Sequence, residues 1–152
     1  KGEVVMGVVN NPVMGELFTT VKGQGSWLNG KKISVSDKTA MTDCLLATGF
    51  AYNFKEIFDD IMIRLGRCLD ASQGIRRLGS AAIDLCYVAC GRFDGYWEQN
   101  LKPWDTAAGQ LIAREAGAVV TDFSNYPFNP WMLEIAAANP TVHKELLDLL
   151  KV

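Results

Sequence analysis

The chain has little of what would place it in a membrane, on nucleic acid or around a structural metal. No apolar run approaches the ~20 residues that cross a bilayer, and Lys1-Gly2-Glu3 does not lead into the apolar segment of a secretory leader. Fifteen basic and 17 acidic residues leave a net charge of -2, with no basic stripe of the kind that binds a polyanion, so direct nucleic-acid binding is not expected. One histidine and four cysteines without a C-x-x-C pair exclude the usual zinc spacings. The expected setting is cytoplasmic and reducing. What is there is a chain of 152 residues, 49% hydrophobic, enough for a globular core.

The first third reads as strands over Val4 to Val9, Leu17 to Val21 and Gly25 to Leu28, separated by Asn, Pro and Gly. Asn29-Gly30 before Lys31-Lys32-Ile33 is a two-residue hairpin signal, so an antiparallel meander is expected. The polar stretch Ser34 to Asp43 is the boundary candidate, dividing residues 1–36 from a second unit at 40–152. Beyond it, short apolar runs alternate with helical patterns, which indicates an α/β layer structure. Strands are expected at Leu45 to Thr48, Ile75 to Leu78, Gly95 to Glu98, Ala118 to Thr121 and Leu133 to Ala137. Helices are expected at Phe54 to Leu69, Ser80 to Cys90, Trp104 to Ala116 and Thr141 to Leu150. In the first of these Phe54, Ile57, Phe58, Ile61 and Leu65 share a face. Cys86 and Cys90 read as small buried hydrophobes on one face, His143 as a surface residue, and Asp59-Asp60 as a solvated helix face.

Pro103-Trp104-Asp105-Thr106-Ala107-Ala108-Gly109 carries the clearest chemistry. Proline suits the first helical position, and Asp105 two residues later lies where the helix dipole favours negative charge. The small residues after it allow close approach to a neighbour or ligand. Two readings stand: a helix cap, or one carboxylate of a magnesium site completed by other ligands and phosphate oxygens. Gly79-Ser80 precedes another helix, where free amides can meet ligand oxygens or Ser80 can act as an N-cap. Glu98 reads either as an acceptor for neighbouring hydroxyls or as a solvated strand-end charge. Strand alternation lets at most one of Arg76 and Arg77 face a site.

Three ordered motifs carry a resemblance. Arg76-Arg77-Leu78-Gly79-Ser80-Ala81-Ala82 is similar to an R-R-x-G-S-A-A turn, Gly91 to Glu98 to a G-R-x-D-G-x-x-E strand, and Pro103 to Gly109 to a W-D-x-A-A-G segment. Together they resemble the inositol monophosphatase family of magnesium-dependent, lithium-sensitive sugar phosphatases, and the likeness runs from Gly7-Val8-Val9 to Ala138-Asn139. The resemblance implies an αβαβα layered sandwich of which this chain is the C-terminal part, usually a homodimer at full length. It implies that Gly79, Ser80 and Ala81 contact the inositol ring, that Glu98 accepts from its hydroxyls, and that Asp105 binds Mg2+ as the catalytic metal ligand. The substrate class is inositol 1-phosphate or a related sugar phosphate. Relatives acting on fructose bisphosphate, histidinol phosphate or phosphoadenosine phosphate share W-D-x-A-A-G; Tyr96-Trp97-Glu98 favours the inositol branch.

The family's D-P-I-D-G-T metal segment does not occur here. Hydrolysis of a phosphate monoester needs several carboxylates around its ions, so the 152-residue chain alone is expected to be inactive and Lys1 to be an unnatural start. The alternative is a non-catalytic binding or regulatory module, since bacterial members of the family also contact the transcription machinery. Ala118 and Ser124-Asn125-Tyr126 stand where the family usually has glycine, which puts local turn geometry at issue.

Overall fold

Burial alternates residue by residue along the first strands, because successive side chains of an extended chain point to opposite faces. A computed structural model describes residues 2–51 and 53–152; Lys1, with which the first expected unit opens, lies outside them. Strands β1 (Met6–Asn11), β2 (Glu16–Val21), β3 (Ser26–Leu28) and β4 (Lys31–Ile33) form an antiparallel sheet in chain order. The β3–β4 turn has Asn29 at φ 50° and Gly30 at φ 76°, the paired left-handed conformation that twists a two-residue hairpin correctly. The first strand begins at Met6, so the expected start at Val4 is two residues early.

The second sheet contains β5 (Leu45–Thr48), β6 (Gly74–Arg76), β7 (Gly95–Gln99), β8 (Val119–Thr121) and β9 (Glu134–Ala138), in the order β6-β5-β7-β9-β8. Both β6 and β7 run parallel to β5, whereas β9 is antiparallel to β7 and β8. Helices α1 (Phe58–Ala71) and α4 (His143–Leu150) cover one face; α2 (Ala81–Ala89) and α3 (Pro103–Glu115) cover the other. Neighbouring residues therefore enter different cores. Leu46, Trp97 and Ala136 join the α4 side, while Ala47, Tyr96 and Ala137 join the α2–α3 side.

The antiparallel sheet closes over the outer side of α3, and its Val9 and Phe18 belong to the same core as Leu85, Ile112 and Ala113. The layers thus run α, β, α, β. Close approach is local and specific: a Cβ on Gly109 would lie 2.9 Å from Leu85, and one on Gly7 would lie 2.9 Å from the Ala108 carbonyl. At its far end α3 is tied to the first sheet by Ser26 Oγ donating to Ile112 O at 2.7 Å, and by Glu115 accepting from Gly23 and Gly25 amides. The other face of that sheet leaves Met6, Val8, Leu17 and Trp27 exposed.

One expectation about burial and one about a shared helical face are corrected. His143 is 4% exposed, with Nε2 3.0 Å from Thr121 Oγ1. It occupies the apolar stripe of α4 with Leu146, Leu147 and Leu150, and that stripe faces the sheet. Burial pushes its pKa below the ordinary value. In the first helical segment, Phe54 and Phe58 are exposed and the buried positions of α1 are Arg64 and Cys68. Residues Phe54–Ile57 form a 3-10 turn, whose three-residue period rotates them out of the α-helical stripe. Arg64 fills the core position by bonding outward, from Nε to Leu150 O and from Nη1 to Gln99 Oε1.

Cys86 is fully buried and Cys90 only half-buried. The loop expected to suffer from lack of glycine is built by Asn125 at φ 68°, with Asp122 Oδ1 accepting from Ser124 and Tyr126 amides. Asparagine tolerates that left-handed conformation.

Candidate functional site

The carboxyl ends of the parallel strands β5 and β7 meet the starts of α2 and α3 at one end of the second sheet. Open α/β sheets place ligands in such crevices. Gly79 at φ 86° makes the turn into α2, and Ser80 is the N-cap, its Oγ accepting from Ile83 N at 3.5 Å. Both are exposed, while Ala81 is buried in the core behind them. The capping reading of Ser80 is thus realised in the fold, and its backbone still faces outward at the helix start.

Glu98 is not a solvated strand-end charge. It is 8% exposed and lies on the same side of β7 as Tyr96, whose hydroxyl donates to Glu98 Oε2 at 2.5 Å. Burial, joined by the charge of Asp105, raises the Glu98 pKa, and the Tyr96 bond opposes that rise. Gly49, following β5, makes room for this carboxylate: a Cβ there would overlap both of its oxygens. The enclosed space beside Gly49 and Glu98, closed by Thr48, Arg64 and Gln99, is only about 10 Å3, room for one water. Beside Glu98 the described residues form a wall, not a pocket of ligand size.

Asp105 sits in the first turn of α3, half-buried, with Oδ2 accepting from Lys102 N at 2.9 Å. The cap is therefore present, and Oδ1 has no protein partner assigned to it by that bond. Magnesium would require more: among the described residues no three His, Cys, Asp or Glu side chains are grouped to hold a metal. Asp105 suits one ligand position and the other described residues do not complete the shell.

Arg76 points away and bonds Ile75 O, whereas Arg77 turns its guanidinium toward Phe50 and acts electrostatically on Glu98. Asp94 is a structural acceptor for Leu45 N at 2.7 Å. Sequence reasoning assigned no site role to Gly49, Tyr96 or Asp84, all of which adjoin Glu98 in space or in charge. Tyr96 carried a usable signal, two residues before Glu98 on one strand. Gly49 and Asp84 become relevant only through tertiary contact.

With this geometry in place, comparison with known proteins is specific. The model of the inositol monophosphatase family matches residues 1–151. The chain is 43% identical over 145 residues to an inositol-1-monophosphatase of Synechocystis sp., covering 95% of this chain and 50% of that protein. It is 42% identical over 150 residues to the Nus factor SuhB of Escherichia coli, covering 97% and 55%. The structure of an inositol monophosphatase from Anabaena superposes with TM-score 0.92 at 40% identity, covering 96% of this chain and 58% of the other. The chain spans about half the length of the curated relatives it matches.

Proposed function

The chain belongs to the inositol monophosphatase family, and from that premise we propose that it forms the polyol-binding half of a phosphatase site for inositol 1-phosphate or a related sugar phosphate monoester. The observation that carries this reading is the buried Tyr96–Glu98 pair at the end of β7, beside the starts of α2 and α3. A carboxylate bonded through one oxygen keeps its other oxygen as an acceptor for neighbouring hydroxyls. Backbone at Gly79, Ser80 and Ala81 lies at the opening of α2, where ligand oxygens are favoured. Tyr96 orients the acceptor, Gly49 makes room for it, and Arg77 supplies positive charge nearby.

Magnesium, when bound, supplies charge neutralisation and an activated water. Asp105 would give it one oxygen at the start of α3, with the other ligands contributed from outside the described residues. No step of hydrolysis is assigned to this segment by itself. The protein acts, in this reading, as a homodimer in the cytoplasm.

Phosphate release from inositol 1-phosphate by the full-length gene product is the test. Release should depend on magnesium and be lost in Asp105→Asn; retained turnover in that variant would overturn the metal assignment. The 152-residue chain alone should show no appreciable turnover, and robust activity from it would refute the division of the site. A second reading, a regulatory binding role, is favoured by the 42% identity to a protein named Nus factor SuhB. It predicts a full-length protein that fails to release phosphate while retaining its fold.

A further inference from the structure

Two parallel strands bring a glycine and a carboxylate together at the end of the second sheet. Thr48 is in register with Trp97 in the β5–β7 pair, so Gly49 and Glu98 follow one step further along each chain. Thr48 Oγ1 pins that register by donating to Trp97 O at 2.8 Å. Gly49 leaves its side-chain position empty, and the Glu98 carboxylate fills it: the three atoms nearest to a Cβ there are the carbon and both oxygens of that carboxyl. On the other side the fully buried Tyr96 hydroxyl donates to Oε2 at 2.5 Å. The carboxylate is held between a hydrogen bond and a missing side chain.

The glycine is not required by the backbone. Gly49 is not among the glycines with positive φ, so an alanine would meet no left-handed strain there. Nor does it serve the packing of one element on another. At Gly109 a Cβ would strike the Leu85 Cβ, and at Gly7 the Ala108 carbonyl, atoms that move only with their helices. At Gly49 it would strike the end of a flexible side chain, which can turn aside. Inward there is no place for that side chain to go. The enclosed space beside Gly49 holds about one water, and Tyr96 fills the core behind it.

We propose that Gly49 is a positioning residue that sets the selectivity of the site: its missing side chain is the slot that holds the Glu98 carboxylate back against Tyr96 and leaves room in front for a hydroxylated ring. This rests on the reading of Glu98 as a polyol acceptor. A side chain at position 49 would turn the carboxylate off the Tyr96 hydroxyl and outward into the crevice. A phosphate ester with ring hydroxyls would then lose its aligned acceptor, whereas an ester without them would lose none.

Gly49→Ala tests this in two ways. In the 152-residue chain without divalent cations, carboxyl-carbon NMR follows Glu98, whose pKa burial holds above the ordinary value. Turned into water, Glu98 should titrate nearer the ordinary value for glutamate, about 4.3, with its midpoint lowered by about half a pH unit or more. Loss of the Tyr96 bond opposes that fall, but burial is the larger cause. An unchanged midpoint overturns the inference. So does a variant that fails to fold, because the carboxylate and not the backbone has to give way.

In the full-length gene product, kcat/KM for inositol 1-phosphate is compared with that for phenyl phosphate, which carries no hydroxyl. Gly49→Ala should lower this ratio about tenfold or more. In a Glu98→Ala background the same substitution should change it by less than about twofold, since it acts through that carboxylate. A full effect in that background overturns the inference. A wild-type enzyme with no preference for inositol 1-phosphate overturns the polyol reading; a preference that survives Gly49→Ala overturns this inference alone.

Discussion

Asp84 and His143 are both buried in the same 152-residue chain, yet their ionisation should tilt stability in opposite directions with pH. Asp84 keeps its proton in the fold up to about 7, while in the unfolded chain it ionises near 4, at the ordinary value for aspartate (about 3.9). Its stabilising contribution is therefore full below about 4, falls as pH rises through about 7, and stays constant above that. His143 has a lowered pKa, because burial disfavours its charged form. Its contribution is full above its ordinary value, about 6.5, and is lost as pH falls toward its folded value. Urea unfolding across pH should show both slopes. Asp84→Asn should remove the first, gaining a few kcal/mol relative to wild type near pH 8, and His143→Gln should remove the second. A wild-type and Asp84→Asn difference that does not change with pH would show that Asp84 ionises normally.

Among elements, the contact of α2 with α3 decides how well the Asp105 helix is placed. Gly109 belongs to the small-residue run after Asp105, and the structure gives that smallness a partner in Leu85. Gly109→Ala should lower stability by about 1–3 kcal/mol through overpacking, read as a shifted urea midpoint with unchanged slope. A neutral effect would mean that the helices separate freely. Local periodicity made these elements legible: Asn29-Gly30 marked its hairpin, and α3 was bounded to within a residue by Pro103 and Gly117. Periodicity says which residues share a face, not which face is covered. That is why Phe54 and Phe58, expected to share a face with Ile57, Ile61 and Leu65, lie exposed, and why His143, spaced with Leu146, Leu147 and Leu150, reads from sequence as a surface residue. The site divided the same way. Glu98 and Asp105 stand in local motifs, whereas Gly49 meets Glu98 only across elements far apart in sequence.

The whole molecule has one face that its own layers do not finish. Met6, Val8, Leu17 and Trp27 lie exposed on the antiparallel sheet, and β1, its edge strand, carries no charge to deter pairing. Exposed apolar patches next to an open strand edge favour association. The 152-residue chain should therefore self-associate as its concentration rises, seen by sedimentation. The pair Val8→Lys and Leu17→Lys should suppress that association with the helical circular dichroism unchanged. A wild-type chain that stays monomeric throughout the concentration range would refute the expectation.

The same sheet grips α3 near its far end, through Ser26 at Ile112 and the Gly23 and Gly25 amides at Glu115, while Asp105 rides on the other end. At 1.5 Å per residue the helix is a rod about 20 Å long. A tilt of about five degrees would swing one end by about 1.7 Å, beyond the roughly 0.5 Å tolerance that the ligand role proposed for Asp105 would allow. The first sheet thus braces α3 at both places, at Ala108 through Gly7 and at the far end through Ser26 and Glu115, so a load on its open face is passed to the helix that carries Asp105.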